Sequence, residues 1–220
     1  MDDLFYNLRL LWENFAPRRC EVCGKIIHEG AFCPLCRGTF YLQKEIKLNF
    51  VIDNVYLLFK YETTFRDLMR AIKFQNSKKY LYFLREEAML AAQEFATGKM
   101  GKYDLITWIP TSFDRKKIRN FEVPQKIFDF FPKDKYQQVL IRQRATAPLF
   151  SFNKNEREKE LAGCFSLQKD VQNKKILLVD DIYTTGSTAR EAARTLKQGG
   201  ALAVDMLAFA SAKANWFEDN

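Results

Sequence analysis

The sequence predicts an α/β fold, a parallel sheet flanked by helices, with a small cysteine-rich segment ahead of it. Three observations predict it. Residues 176–179 (Ile-Leu-Leu-Val) form an unbroken aliphatic run, the pattern of a central parallel strand buried on both faces. That run leads through Asp180, Asp181 and a polar stretch into a helical pattern closed by Gly199 and Gly200; residues 201–209 then supply another apolar strand and complete a βαβ unit. Finally, Cys20-Glu21-Val22-Cys23 and Cys33-Pro34-Leu35-Cys36 are two Cys-x-x-Cys turns nine residues apart.

The strand, loop and helix around residue 180 carry the clearest chemistry. In open parallel sheets, ligands sit just outside the carboxyl ends of the strands, where Asp180 and Asp181 fall. Gly186 permits a close backbone approach in the following loop. Unpaired N–H groups of the helix's first turn, its dipole and the hydroxyls of Thr184, Thr185, Ser187 and Thr188 suit a phosphate monoester dianion. Two carboxylates so near would repel that phosphate, but they accept hydrogen bonds from a vicinal diol or hold a hydrated Mg²⁺. Phosphate, diol and magnesium together describe a phosphorylated sugar. The alternative is a βαβ unit with a fortuitous acidic turn.

This stretch resembles, along its whole length, the phosphoribosyl-pyrophosphate signature of type I phosphoribosyltransferases. The resemblance implies that Asp180 and Asp181 meet the ribose hydroxyls, and that Thr184, Thr185, Gly186, Ser187 and Thr188 wrap the 5′-phosphate.

At 220 residues the chain has room for one good core, or one domain and a small module. The expected division is an amphipathic helix and cysteine ribbon over 1–45 and the sheet domain over 46–220. A hydrophobic share of 47%, including 20 Phe, excludes a disordered chain. A net charge of +8 with a pI near 9.2 points to an anionic partner: nucleotide, nucleic acid or acidic lipid. Asp2 and Asp3 stand where a signal peptide would be basic, and no apolar run approaches the ~20 residues that span a bilayer, so a cytoplasmic location is expected.

Leu4, Leu8, Leu11 and Phe15 recur at helical spacing with Phe5 and Trp12 alongside. Docking on the core is the plain reading of this helix; contact with a membrane surface or partner is the alternative, against which Asp2, Asp3 and Glu13 weigh. Cys20, Cys23, Cys33 and Cys36 can make a tetrahedral zinc site, and four thiolates leave no position for water, so the metal is structural. His28 reads as an exposed loop residue and Cys164 as a small apolar filler.

Residues 54–61 read as a strand, 65–74 as a helix with Leu68, Met69 and Ile72 inward, and 77–95 as a second helix. Residues 103–110 form the first strand of the parallel core. It ends at Pro110-Thr111-Ser112, where backbone groups could meet a pyrophosphate; a plain strand-terminating turn is the competing account. Arg142 and Arg144 follow a strand into a loop, and residues 154–160 carry the mixed charge of a solvated helix. Arg115, Lys116, Lys117 and Arg119 form the densest basic cluster, fit either for phosphate or single-stranded DNA or for plain solvation. Trp216 and Phe217 are the apolar residues of the tail.

The two Cys-x-x-Cys pairs, the 61–74 segment with Arg66, Leu68 and Lys73, the Ile109-Pro110 turn and the 176–188 signature stand in the order of the ComF family, which the chain resembles from Cys20 to Thr188. That resemblance implies a zinc ribbon fused to a type I phosphoribosyltransferase-like domain, with phosphoribosyl pyrophosphate and Mg²⁺ as ligands. It further implies a role in natural competence, with single-stranded DNA and a DNA-uptake helicase as partners, and peripheral membrane contact at the inner face. Arg142 and Arg144 would belong to a mobile loop that closes over the pyrophosphate and clamps its charge during catalysis.

The chain departs from the family in places. The family's Arg-Gly-Phe-Asn-Gln run appears as Arg119-Asn120-Phe121-Glu122-Val123, and three later elements appear as residues 146–149, 157–160 and 163–165. These departures bear on turnover rather than on ligand binding. Hypoxanthine-type transferases place an Asp where this chain has Thr184, which argues against purine salvage of that kind. Three functional readings follow: a ComF-type competence protein, a housekeeping phosphoribosyltransferase, and a non-catalytic adaptor for DNA or a partner.

Overall fold

The computed structural model describes residues 17–48, 51–96, 100–111, 117–144 and 152–212. The expected helix over residues 4–15, Ser112, Arg115, Lys116, residues 146–149, Trp216 and Phe217 lie outside them, as does the side chain of Arg157. From the amino end the elements are α1 (Pro34–Phe40), β1 (Tyr41–Lys47), β2 (Asn54–Lys60), α2 (Thr63–Gln75), α3 (Lys78–Ala96), β3 (Leu105–Trp108), α4 (Val123–Ile127), β4 (Leu140–Arg142), α5 (Lys154–Leu161), β5 (Phe165–Leu167), β6 (Lys175–Tyr183), α6 (Ser187–Gln198) and β7 (Ala203–Ser211).

The main sheet has the order β1-β2-β7-β6-β3, parallel throughout except for β1, which pairs antiparallel with β2 at the edge. The expected α/β architecture with a mostly parallel sheet is therefore what forms. β1 is a strand that the sequence concealed: its alternation is broken by Gln43, Lys44 and Glu45, as suits an edge strand. The expected boundary between residues 45 and 46 falls inside this strand. A separate ribbon pairs β4 with β5, with Arg142 opposite Phe165.

β6 runs further than its aliphatic core. Pairing with β7 continues from Leu178–Met206 through Asp180–Ala208 to Tyr183–Ser211, so the two acids stand in the last part of the strand rather than beyond it. The ladder bonds are made by backbone groups, so neither carboxylate is needed for them.

The two faces of the sheet are packed differently. On one, Phe65 of α2 meets Phe32, Phe40, Phe59 and Phe209 at ring-centroid separations of 5.0 to 5.4 Å. These edge-on and tilted contacts account for part of the chain's unusual Phe content, and they join the cysteine-bearing segment, α2 and the sheet in one apolar cluster. On the other face α6 turns Ala189, Ala192, Ala193 and Leu196 onto Ile176, Leu178, Val204 and Met206. Its small side chains let that helix lie close to the strands. α2 and α6 thus approach the end of β6 from opposite sides.

Candidate functional site

The site begins with the acid pair. The Asp181 backbone N–H donates to Asp180 Oδ1 at 2.8 Å. Burial, and then the charge of Asp181 beside it, push the Asp180 carboxyl well above the usual carboxylate range. Asp181 is buried, and its Oδ2 lies 2.6 Å from Lys73 Nζ, which reaches across from the last turn of α2. Tyr61, where β2 gives way to α2, has its hydroxyl pushed up by burial and then by the Asp181 charge. The sequence marked Lys73 only as part of the 61–74 segment and gave it no partner: the pairing is long-range, and helical periodicity says nothing about the sheet end a side chain reaches.

The loop after β6 has the expected form. Gly186 adopts φ +74° and α6 begins at Ser187. A Cβ at 186 would lie 2.2 Å from Tyr183 Oη and 2.6 Å from its Cζ, so the tyrosine ring fills the space under the turn. The Thr185 and Ser187 hydroxyls lie 3.1 Å apart, Thr184 is exposed, and Thr188 is half-buried. Arg190, one turn into α6, donates to the Thr185 carbonyl at 2.9 Å, to Ser187 Oγ at 3.2 Å and to Glu158 Oε1 at 2.8 Å. It is a second cation that sequence reasoning passed over, because it read only as part of a helical face.

At the neighbouring strand, Pro110 is buried and the Thr111 N–H donates to Glu122 Oε1 at 3.0 Å. Glu122 Oε2 also accepts from Trp108 Nε1 at 2.9 Å. The backbone donor expected to face pyrophosphate is therefore matched by a buried carboxylate. Just before it, Asn120 holds φ +60°, where the ComF run has Gly; Asn is among the few side chains that enter this region readily. Arg119 Nε donates to the Lys73 carbonyl at 2.8 Å and ties this segment to the end of α2.

Arg142 is the last residue of β4, and Arg144 lies two residues beyond it, off the β4–β5 ribbon. The Arg142 guanidinium lies 5.5 Å from the Phe165 ring centroid. Arg144 donates to the carbonyls of Glu160 and, at 3.2 Å, Ala162, which end α5. A cation at a helix C-terminus is a favourable pairing in its own right. The structure thus brings together Asp180, Asp181, Lys73 and the 184–188 loop, and engages Arg144 with α5.

The sulfur atoms of Cys20, Cys23, Cys33 and Cys36 all lie within 4.8 Å of one another, with Cys23 and Cys33 3.7 Å apart. Tetrahedral zinc with Zn–S bonds of ~2.3 Å requires sulfurs about 3.8 Å apart, so the donor set fits that ion. Burial opposes ionisation of Cys20, but the backbone N–H groups of Cys23, Cys33 and Val22 outweigh it and bring the thiol down to about 6. His28 is exposed, and Cys164 is fully buried with its thiol pushed up by burial.

Two neighbouring carboxylates of α3 anchor this segment. Glu86 accepts from Arg18 and from the Gly30 N–H at 3.0 Å. Glu87, fully buried, accepts from the N–H groups of Ala31 at 2.8 Å and Phe32 at 3.2 Å, and from Arg37 Nε at 2.6 Å.

Residues 115–220 match the family model of the phosphoribosyl transferase domain. Competence protein ComFC of Bacillus subtilis (strain 168) is 21% identical over 197 residues, 89% of this chain and 78% of that protein. The chain is ComF-like. It joins a four-cysteine cluster to a phosphoribosyltransferase domain. DNA utilization protein YhgH of Escherichia coli (strain K12) is 38% identical to the ComF-like chain over 69 residues. That match covers 31% of this chain and 30% of the relative's length. Among solved structures, a glutamine phosphoribosylpyrophosphate amidotransferase from B. subtilis overlaps 64% of the ComF-like chain and 30% of its own, at 22% identity and a TM-score of 0.40. Adenine phosphoribosyltransferase from Leishmania tarentolae overlaps 77% and 95%, at 13% identity and a TM-score of 0.35. Among the described residues, no helix of the ComF-like chain is long and apolar enough to cross a membrane.

Proposed function

We propose that this ComF-like chain binds phosphoribosyl pyrophosphate with Mg²⁺ at the carboxyl end of β6 and, in the cytoplasm, assists the uptake of single-stranded DNA in natural competence. The observation that carries the ligand reading is the run of Asp180 and Asp181 straight into the Gly186 turn and the first turn of α6. The acid pair would hold the ribose hydroxyls, and the 184–188 loop the 5′-phosphate. Mg²⁺, when bound, would neutralise the diphosphate. The zinc held by the four cysteines would be structural. The DNA role rests on the names of the relatives, a competence protein and a DNA utilization protein, together with the chain's net charge of +8.

A second reading, binding without group transfer, is favoured by two contacts. The Thr111 N–H is matched by Glu122, and Arg144 is engaged with the carbonyls that end α5.

Calorimetry with phosphoribosyl pyrophosphate and Mg²⁺ tests the ligand reading, comparing wild type with a folded Asp180→Asn/Asp181→Asn double variant. Saturable binding by wild type and its loss in the variant are expected. No binding by folded, zinc-loaded wild type would overturn the sugar-phosphate assignment.

A further inference from the structure

Lys73 is the cation of the acidic site that the proposed ligand contacts leave unused. Its Nζ lies 2.6 Å from Asp181 Oδ2, and its side chain keeps about a quarter of its surface in solvent. Among the described residues Asp181 is its only ion-pair partner. The backbone that carries it is fixed: the Lys73 carbonyl accepts from the buried Arg119 at 2.8 Å, and α2 ends just beyond at Asn76 with φ +55°. An ammonium has three donors, and one contact to a carboxylate leaves two to give.

The direction of approach decides what those donors meet. α2 packs on one face of the sheet and α6 on the other, so Lys73 comes to the acid pair from the side opposite the 184–188 loop. In the proposed pose the 5′-phosphate lies at that loop and the two hydroxyls lie on the acids. The anomeric carbon is bonded to the carbon bearing one of those hydroxyls. A cation hydrogen-bonded to an acid that holds the diol is then a neighbour of the anomeric substituent, and remote from the 5′-phosphate.

We propose that Lys73 recognises the anionic group on the anomeric carbon, bridging Asp181 to a diphosphate, and so makes the site select a sugar 1-diphosphate over a sugar carrying only the 5′-phosphate. This rests on the ligand reading above. It gives a role to α2, an element outside the 115–220 span of the family match.

The test is calorimetry of wild type and Lys73→Gln with two ligands, phosphoribosyl pyrophosphate and ribose 5-phosphate, which share the diol and the 5′-phosphate and differ at the anomeric carbon. Expected is a loss of about tenfold or more in affinity for the diphosphate in Lys73→Gln, with ribose 5-phosphate affinity within about twofold of wild type. Retained ribose 5-phosphate binding also shows that the variant is folded and its acid pair intact. Loss of both ligands would mean that Lys73 acts by holding Asp181 in place, and unchanged affinity for both would mean that it contacts neither; each overturns the proposal. Wild type that binds neither ligand removes the sugar-phosphate reading and this assignment with it.

Discussion

The Glu87 carboxylate occupies the space where a side chain at residue 30 would begin: a Cβ built on Gly30 lies 2.1 Å from Glu87 Oε1 and 2.9 Å from Arg37 Nη2. Gly30 also holds φ +71°, a conformation that ordinary side chains resist. Gly30→Ala must displace a buried carboxylate that accepts from Ala31, Phe32 and Arg37. It is expected to cost about 2–4 kcal/mol, read as a lower denaturant midpoint at unchanged slope. At Gly24 a Cβ would meet nothing within 4 Å, although φ is +73°. Gly24→Ala therefore measures the backbone strain alone and is expected to cost clearly less.

The acid pair carries a cost in stability. The Asp180 carboxyl is held above its ordinary value by burial and then by the charge of Asp181, so its ionisation opposes folding. For a carboxyl raised in this way, stability is fully present below the unfolded value of 3.8 and is lost as pH rises through the folded one. Asp180→Asn is thus expected to raise the melting temperature at pH 7 to 8 while abolishing sugar-phosphate binding. The stability gain should shrink towards zero as pH falls below 3.8. A variant less stable than wild type at pH 7 would contradict this account.

Asp205 titrates in the opposite sense. Burial works against its charge, but Tyr103 Oη at 2.6 Å, Lys102 Nζ at 2.9 Å and Asn54 Nδ2 at 2.8 Å outweigh it and lower the carboxyl below its ordinary value. That stability is present above 3.8 and is lost as pH falls through the depressed value. Asp205→Asn should destabilise the protein at pH 7, by about 2 kcal/mol for a charge-assisted network, and far less at pH 2 to 3. Thermal melts over this range separate the two aspartates by sign.

Metal analysis of the purified protein is expected to give one zinc per chain. A strong chelator should lower the melting temperature, as should Cys33→Ser, because the closed four-sulfur site contributes its binding free energy to folding. Zinc-free protein with an unchanged melt would contradict a structural metal.

Elements carried by local pattern were legible in the sequence: the aliphatic run of β6, the amphipathic α2 with Leu68, Met69 and Ile72 inward, and the cysteine spacing that brings four sulfurs together. What stayed hidden was tertiary. The helical pattern of residues 77–95 gave Glu86 and Glu87 no partner, yet both are buried because the 30–37 segment brings backbone N–H groups and an arginine to them. Lys73 and Arg190 sit on helical faces whose targets lie on other elements. β1 could not be found from its own residues, because an edge strand borrows its order from the neighbour it pairs with.

Glu122 gives the Thr111 turn a resident anion. With one oxygen on the Thr111 N–H and the other on Trp108 Nε1, the carboxylate already makes the bonds a visiting phosphate would seek there. An anion arriving at this turn faces a competitor rather than a vacancy. Its gain is only the difference between two hydrogen bonds of the same kind, reduced further by repulsion from a carboxylate that cannot leave without stranding the indole. Any grip on an anion must accordingly come from groups other than this N–H, and the turn is closed by the chain's own carboxylate.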